Sequence, residues 1–277
     1  MTKLSRRLFN VPNPEFYESV CSWISRLALS QGSDVNEVMQ YLCFPLDADL
    51  DRFVYGDRLT ELRDICGLNA SAFLVHNRVI TSLNSMSPLG DNYLIRTRAN
   101  KPVYRYCPLC IKEMRIPHFP IHWHFVAWRW CPKHDCLLED FCQSCGCTAV
   151  LPADIASSEA GKLGYGLLNR CQSCAEPYGN MKPCHLQLGN IRRVSRLEEQ
   201  ILANGRGLLA ALYYGWFEIR GIAGRQELGR FVDIERYGVL AVRPEWLSPE
   251  HVRMRVVNDS GLMPARWELA EFNARSE

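Results

Sequence analysis

Hydrophobic positions in the first hundred residues recur at helical spacing. Phe16, Val20, Trp23, Ile24, Leu27 and Ala28 form one stripe and predict a helix over Glu15–Ser30. Gln31-Gly32-Ser33-Asp34 interrupts it: Gly32 suits the left-handed position after a helix, and Ser33 or Asp34 can cap the next one. Val35, Val38, Met39 and Leu42 then predict a second helix, reaching Cys43. The outline repeats. Leu59, Leu62, Ile65 and Cys66 line a helix over Asp57–Cys66 closed by Gly67, and Asn69 or Ser71 can cap a further helix through Phe73, Leu74, Val79 and Ile80 to about Leu83. Two helical hairpins of helix-turn-helix outline result.

Downstream the pattern loosens. Ser85–Lys101 is polar, broken by Pro88 and Gly90, and reads as a linker. Pro120 can open a helix toward Trp130, with Trp123, Ala127 and Trp130 on one face and His124 and Trp128 on the next. Asp154–Gly166 is small, polar and Gly-rich, and reads as a loose loop or hairpin tip. Helices are predicted over Arg196–Ala203, Leu208–Ile219 and Gln226–Arg236, and Ser248-Pro249-Glu250 is a helix start. The expectation is a mainly α protein with an N-terminal helix-turn-helix bundle over 1–100, a cysteine-rich domain over 101–190 and a C-terminal helical region over 191–277.

The cysteines change this picture. Four ligand pairs stand in series: Cys107-Pro-Leu-Cys110, Cys131-Pro-Lys-His134, Cys142-Gln-Ser-Cys145 and Cys171-Gln-Ser-Cys174. A pair spaced by two residues aims both donors at one point, so two pairs complete a tetrahedral zinc site. The simplest partition joins neighbours, Cys107, Cys110, Cys131 and His134 at one zinc and Cys142, Cys145, Cys171 and Cys174 at a second. Such zinc-ribbon-like modules are closed by their own ligands and are expected to be structural. Cys136 and Cys147 lie close enough in sequence that either can replace a neighbour, and Cys184 is left unliganded. Cys21, Cys43 and Cys66 fall on apolar helix faces and read as core residues. His122 and His124 read as rings packing between the two modules.

Thirteen cysteines, an odd number, and a Met1–Asn10 segment without an apolar stretch argue against an exported disulfide scaffold. A reducing compartment, the cytoplasm, is expected. No run of eighteen apolar residues is present to span a membrane. The formal net charge is +2, and each of the segments 1–106, 107–190 and 191–277 is balanced to within one charge. That excludes a basic domain driven onto DNA by counterion release. Two modest clusters remain as candidate phosphate contacts, Arg96, Arg98, Lys101 and Arg105, and then Arg192, Arg193 and Arg196. His76, Asn77 and Arg78 are the polar positions with which the second hairpin would touch DNA. No Ser/His/Asp set, phosphate-cradling glycine loop or paired acidic nuclease motif is evident, and a non-enzyme is expected.

Several of these residues together resemble the TniQ family of transposition proteins. They are Glu18-Ser19-Val20, Ser22-Trp23-Ile24-Ser25-Arg26-Leu27-Ala28, Tyr106-Cys107-Pro108-Leu109-Cys110, His122-Trp123, Trp130-Cys131-Pro132-Lys133-His134 with Leu137-Leu138, and Cys142-Gln143-Ser144-Cys145-Gly146. The resemblance spans about residues 11–175. It implies the eight zinc ligands named above, an N-terminal helix-turn-helix region and target-site selection in a transposon. Family members are adaptors. Some join a CRISPR effector ribonucleoprotein, often as a dimer, and pass its location to a TnsC-type AAA+ ATPase that recruits the transposase. Longer relatives bind an attachment site directly through added C-terminal domains. The short, charge-balanced region after the cysteines favours the adaptor role; a sequence-specific DNA-binding selector is the alternative.

Overall fold

The computed structural model describes residues 8–86, 90, 93–97, 100–126, 128–131, 133–134, 136–147, 151–163 and 167–184, and the short stretches 208–209, 211–217 and 225–228. The described residues are mostly helical with little sheet, as the periodicity predicts. The chain forms two compact units. One takes the chain to Thr81 together with Pro108–Ile121 and Phe141–Lys182; the other takes Ser82–Cys107, His122–Asp140 and the chain from Pro183.

The first unit is built around α1 (Val20–Gln31). Val20, Trp23, Ile24, Leu27 and Ala28 are fully buried, as the stripe requires, but so are Ser22, Ser25 and most of Arg26. A helix covered all round must satisfy its polar side chains internally. Ser25 bonds back to the Cys21 carbonyl at 2.7 Å. Ser22 donates to Glu18 at 2.9 Å and accepts from the Phe119 N–H at 2.9 Å. Arg26 pairs with Glu18 at 2.5 Å. Burial pushes the Glu18 carboxyl up to about 7 against the Arg26 guanidinium, the Glu15 N–H and the Ser22 hydroxyl, which all pull it down. The helix begins one turn later than predicted. Ser19 caps it by accepting from the Ser22 N–H, and Tyr17 stands at φ 62°. Residues 17–19 instead pair with 119–121 through Ser19 N–H to Phe119 O and Ile121 N–H to Tyr17 O.

The caps settle the hairpins much as expected. Gly32 closes α1, and Asp34 with Glu37 forms a capping box for α2 (Val35–Tyr41). α2 stops at Tyr41, and Cys43 follows in a turn at φ 60°, exposed. Its expected place in the core is therefore wrong; Cys21 and Cys66 are buried. Four residues, Leu50–Phe53, form a short helix α3 that the periodicity did not mark, held to α1 by the Cys21 N–H donating to Asp51 at 2.9 Å. α4 (Gly56–Cys66) ends at Gly67, and α5 runs Leu74–Ser85. α6 (Pro108–Glu113) packs on a 3₁₀ turn at Tyr178–Asn180.

The segment read as a loose loop is two helices, α7 (Pro152–Ser157) and α8 (Glu159–Leu163). α7 packs directly on α1, burying Ile155 and Ala156. Gly161 lets α8 fold back on it, for a Cβ there would lie 1.9 Å from the Ile155 carbonyl oxygen. Small residues here mark close packing rather than disorder.

Among its described residues the second unit carries a short ladder. Ile95 N–H donates to His124 O, Val126 N–H to Tyr93 O, Arg105 N–H to Trp123 O and Val103 N–H to Ile95 O, at 2.9–3.1 Å. The predicted linker thus supplies core: Tyr93, Leu94 and Ile95 are buried. The helix expected from Pro120 to Trp130 shrinks to a 3₁₀ turn at Ile121–His124, because the carbonyls and amides that it needs are spent across this ladder. His124 stacks on Tyr104 at 4.6 Å and His122 meets Trp128 at 4.7 Å, so both rings pack against aromatic neighbours. β1 (Trp130–Cys131) pairs antiparallel with β2 (Cys136–Leu137). Further on, residues 208–209 and 211–214 are helical, but Gly215 at φ 80° ends that run. β3 (Trp216–Phe217) then pairs with β4 (Gln226–Glu227) where helix was expected.

Candidate metal centres

Both predicted ligand sets assemble. The donor atoms of Cys107, Cys110, Cys131 and His134 lie within 4.8 Å of one another, and so do those of Cys142, Cys145, Cys171 and Cys174. Finer distances test the fit. A tetrahedral ion with Zn–S near 2.3 Å and Zn–N near 2.0–2.1 Å has S···S edges of about 3.8 Å and S···N edges of about 3.5 Å. Cys142–Cys174 and Cys145–Cys171 are each 3.6 Å apart. His134 Nδ1 is 3.4 Å from the Cys107 sulfur and 3.5 Å from that of Cys131. The residues fit a tetrahedral ion, and Nδ1 is the imidazole donor.

Local structure explains each pair. Cys107 immediately precedes α6, and Cys110 lies in its first turn. Cys131 ends β1 and His134 lies in the loop that leads to β2. The second centre is two matching knuckles. The Gly146 N–H bonds to Cys142 O at 2.8 Å and the Ala175 N–H to Cys171 O at 3.0 Å, with Gly146 at φ 73° and Ala175 at φ 62°. The Cys142 thiol is held below its ordinary range: burial opposes ionisation, but the N–H groups of Cys145 and Ser144 outweigh it. Such donors favour the thiolate that a metal requires.

The two Gln-Ser dipeptides have a use that spacing alone does not reveal. Gln143 clamps the far end of the module, donating to Lys182 O at 2.8 Å and accepting from Lys182 N–H at 2.9 Å. Gln172 donates to the Cys147 sulfur at 3.5 Å, and Cys147 stands outside the cluster. The centres differ in exposure: Cys107 and Cys131 are buried with Cys110 and His134 half-buried, whereas Cys145 and Cys174 are exposed. Cys136 is buried, its sulfur 3.7 Å from that of Cys107.

Of the expected phosphate contacts, the described residues are Arg96, Lys101 and Arg105, and they differ in exposure. Arg105 turns inward, 3% exposed, and donates to the carbonyl oxygens of Val126 at 3.0 Å and of Phe125 and Trp128 at 3.5 Å. Its charge is committed there, so it is removed from the contact set. Burial lowers its pKa to about 10, with buried Asp140 opposing. Arg96 and Lys101 stand on a tight turn in which Thr97 N–H bonds to Lys101 O at 2.8 Å; Lys101 is exposed, Arg96 half-buried. Arg98, Arg192, Arg193 and Arg196 lie outside the described residues, as does the helix expected over Arg196–Ala203. His76 does not face solvent. It is 1% exposed, bonds through Nε2 to Val54 O at 3.1 Å, and burial lowers its pKa. Asn77 accepts from the Gly56 N–H at 2.8 Å, leaving Arg78 as the exposed member of that trio.

A mainly helical protein with two closed Cys/His clusters is the class that fold and site define. Within it the chain carries a TniQ region: the TniQ family model matches residues 10–138, bearing out the resemblance. The match covers 129 of the 277 residues. No curated protein matches the chain. Among the described residues no helix is long and apolar enough to cross a membrane.

Proposed function

We propose that this chain is a non-catalytic adaptor for transposition target selection. It links a targeting complex, a CRISPR effector ribonucleoprotein, to a TnsC-type AAA+ ATPase and through it to the transposase. The observation that carries this reading is the TniQ match over residues 10–138 joined to two tetrahedral donor sets. Both centres hold zinc in this reading, and the zinc is structural. Four protein donors fill each tetrahedron, whereas a catalytic zinc keeps a position for water. The eight ligands fasten segments that are far apart in sequence, and the bound ion supplies the cross-link that a small hydrophobic core cannot.

Charge supports adaptor over autonomous DNA binder. The chain's net charge is +2, and with Arg105 internal the first basic cluster is weaker than its sequence suggests. The test uses purified full-length protein. Mobility shifts on random and attachment-site DNA should show only weak, salt-sensitive, sequence-blind binding, while pull-downs should capture both the ATPase and a crRNA-loaded effector. A unique, salt-resistant footprint on naked DNA would replace this reading with direct site recognition. Metal-dependent strand cleavage lost on changing a single acidic residue would make the chain an enzyme.

A further inference from the structure

We propose that Cys136 is a fifth, non-ligating sulfur of the first centre, whose S–H donates to the Cys107 sulfur and retains the metal. The inference rests on the zinc reading above. Four donors already lie within 4.8 Å of one another at this centre, and Cys136 is not among them. Its place is nonetheless imposed by the sheet. β1 and β2 are antiparallel with Cys131 directly opposite Cys136, and directly opposed residues project to the same face. The ligand Cys131 therefore brings Cys136 with it. The Cys136 sulfur comes to 3.7 Å from Cys107 and is 0% exposed.

Chemistry then decides which sulfur carries the proton. Ligand cysteines bind as thiolates, and zinc is saturated by four donors, so the fifth sulfur keeps its hydrogen. Three thiolates and a neutral imidazole around a divalent ion leave one net negative charge. Two of those thiolates, Cys107 and Cys131, are buried, where uncompensated charge is costly. A charge-assisted S–H···S bond in this dry position offsets part of that cost, holds the Cys107 sulfur in place and lowers the energy of its lone pairs. At the second centre Cys147 accepts from the Gln172 amide and stands outside the donor set.

Full-length protein carrying Cys136→Val, Cys136→Ala or Cys136→Ser tests the assignment. Metal analysis comes first: wild type and all three variants should hold two zinc equivalents. Transfer of zinc to a chromophoric chelator should show one of the two release phases accelerated about tenfold in the Val and Ala variants, in line with the loss of a partner that orients a ligand. Cys136→Ser, which restores a donor, should return toward wild type. In cobalt-substituted protein the thiolate-to-metal charge-transfer band should keep its intensity but move to lower energy in Val and Ala. Loss of one metal equivalent or of band intensity makes Cys136 a ligand and overturns the proposal. So do unchanged release and an unshifted band, which leave Cys136 as packing. Wild type without zinc refutes the underlying metal reading and is distinguishable from both.

Discussion

Arg105→Ala separates a structural cation from a nucleic-acid contact. The wild-type guanidinium reaches three main-chain carbonyl oxygens, the strongest at 3.0 Å to Val126 and two at 3.5 Å to Phe125 and Trp128. A hydrogen bond to a charged group is worth about 1.5–3 kcal/mol, so the Val126 bond alone approaches that range while the longer two add less. Buried Asp140 also favours the charged form of Arg105. With the two longer bonds added, the expected loss is about 2–4 kcal/mol. Against a typical total stability of about 5–15 kcal/mol, that is between roughly an eighth and four-fifths. Urea unfolding followed by tryptophan fluorescence, with zinc present and metal content verified, should show the midpoint fall by about 1–2 M if the slope is near 2–3 kcal/mol/M. Arg105→Lys should recover part of the loss, because an ammonium keeps the charge but cannot fork across the carbonyls. The reasoning fails if Arg105→Ala unfolds at the wild-type midpoint. It fails most clearly if that variant also weakens nucleic-acid binding within the assembled complex and lowers its salt slope by about one, the signature of a lost phosphate contact.

Four further outcomes are expected. Ala175→Gly should stabilise the protein by about 0.5–1 kcal/mol and Gly146→Ala should destabilise it by about 1–2 kcal/mol in thermal unfolding, because both residues sit at positive φ in matching knuckles. Ile155→Ala should cost about 2–5 kcal/mol in chemical denaturation, since α7 packs a fully buried Ile155 toward α1. Glu18 has its folded pKa raised to about 7 from 4.5 by burial, so its contribution is complete below pH 4.5 and is lost as pH rises through 7; the stability difference between wild type and Glu18→Gln should therefore shrink across that window by on the order of 3 kcal/mol in paired urea titrations. Under limiting chelator the centre with exposed Cys145 and Cys174 should release its metal before the one with buried Cys107 and Cys131, as read by mass spectrometry of the one-metal intermediate.

What was legible in the sequence is what local chemistry determines. A Cys-x-x-Cys or Cys-x-x-His turn points its own donors together whatever surrounds it, so all eight cluster residues could be read from spacing. Helix ends were legible for the same reason: Gly32 and Gly67 take the left-handed conformation and Asp34 caps through its own side chain. Tertiary structure decided everything that depends on a distant partner. The apolar stripe of α1 says nothing of where Ser22 and Arg26 find partners; the Phe119 N–H and Glu18 satisfy them only in the folded chain. Arg105 looked like a surface cation because its neighbours Arg96 and Lys101 are polar; only the carbonyls of residues 125–128, brought in by the ladder, make it internal. Ala156, Ala160 and Gly161 resembled a loose loop because small residues carry little periodic signal, yet smallness is what close approach of α7 and α8 demands. Cys136 was visible as a spare thiol beside two ligand pairs. Its placement against Cys107 came from strand register, which pairs residues across a turn and which spacing along the chain does not encode.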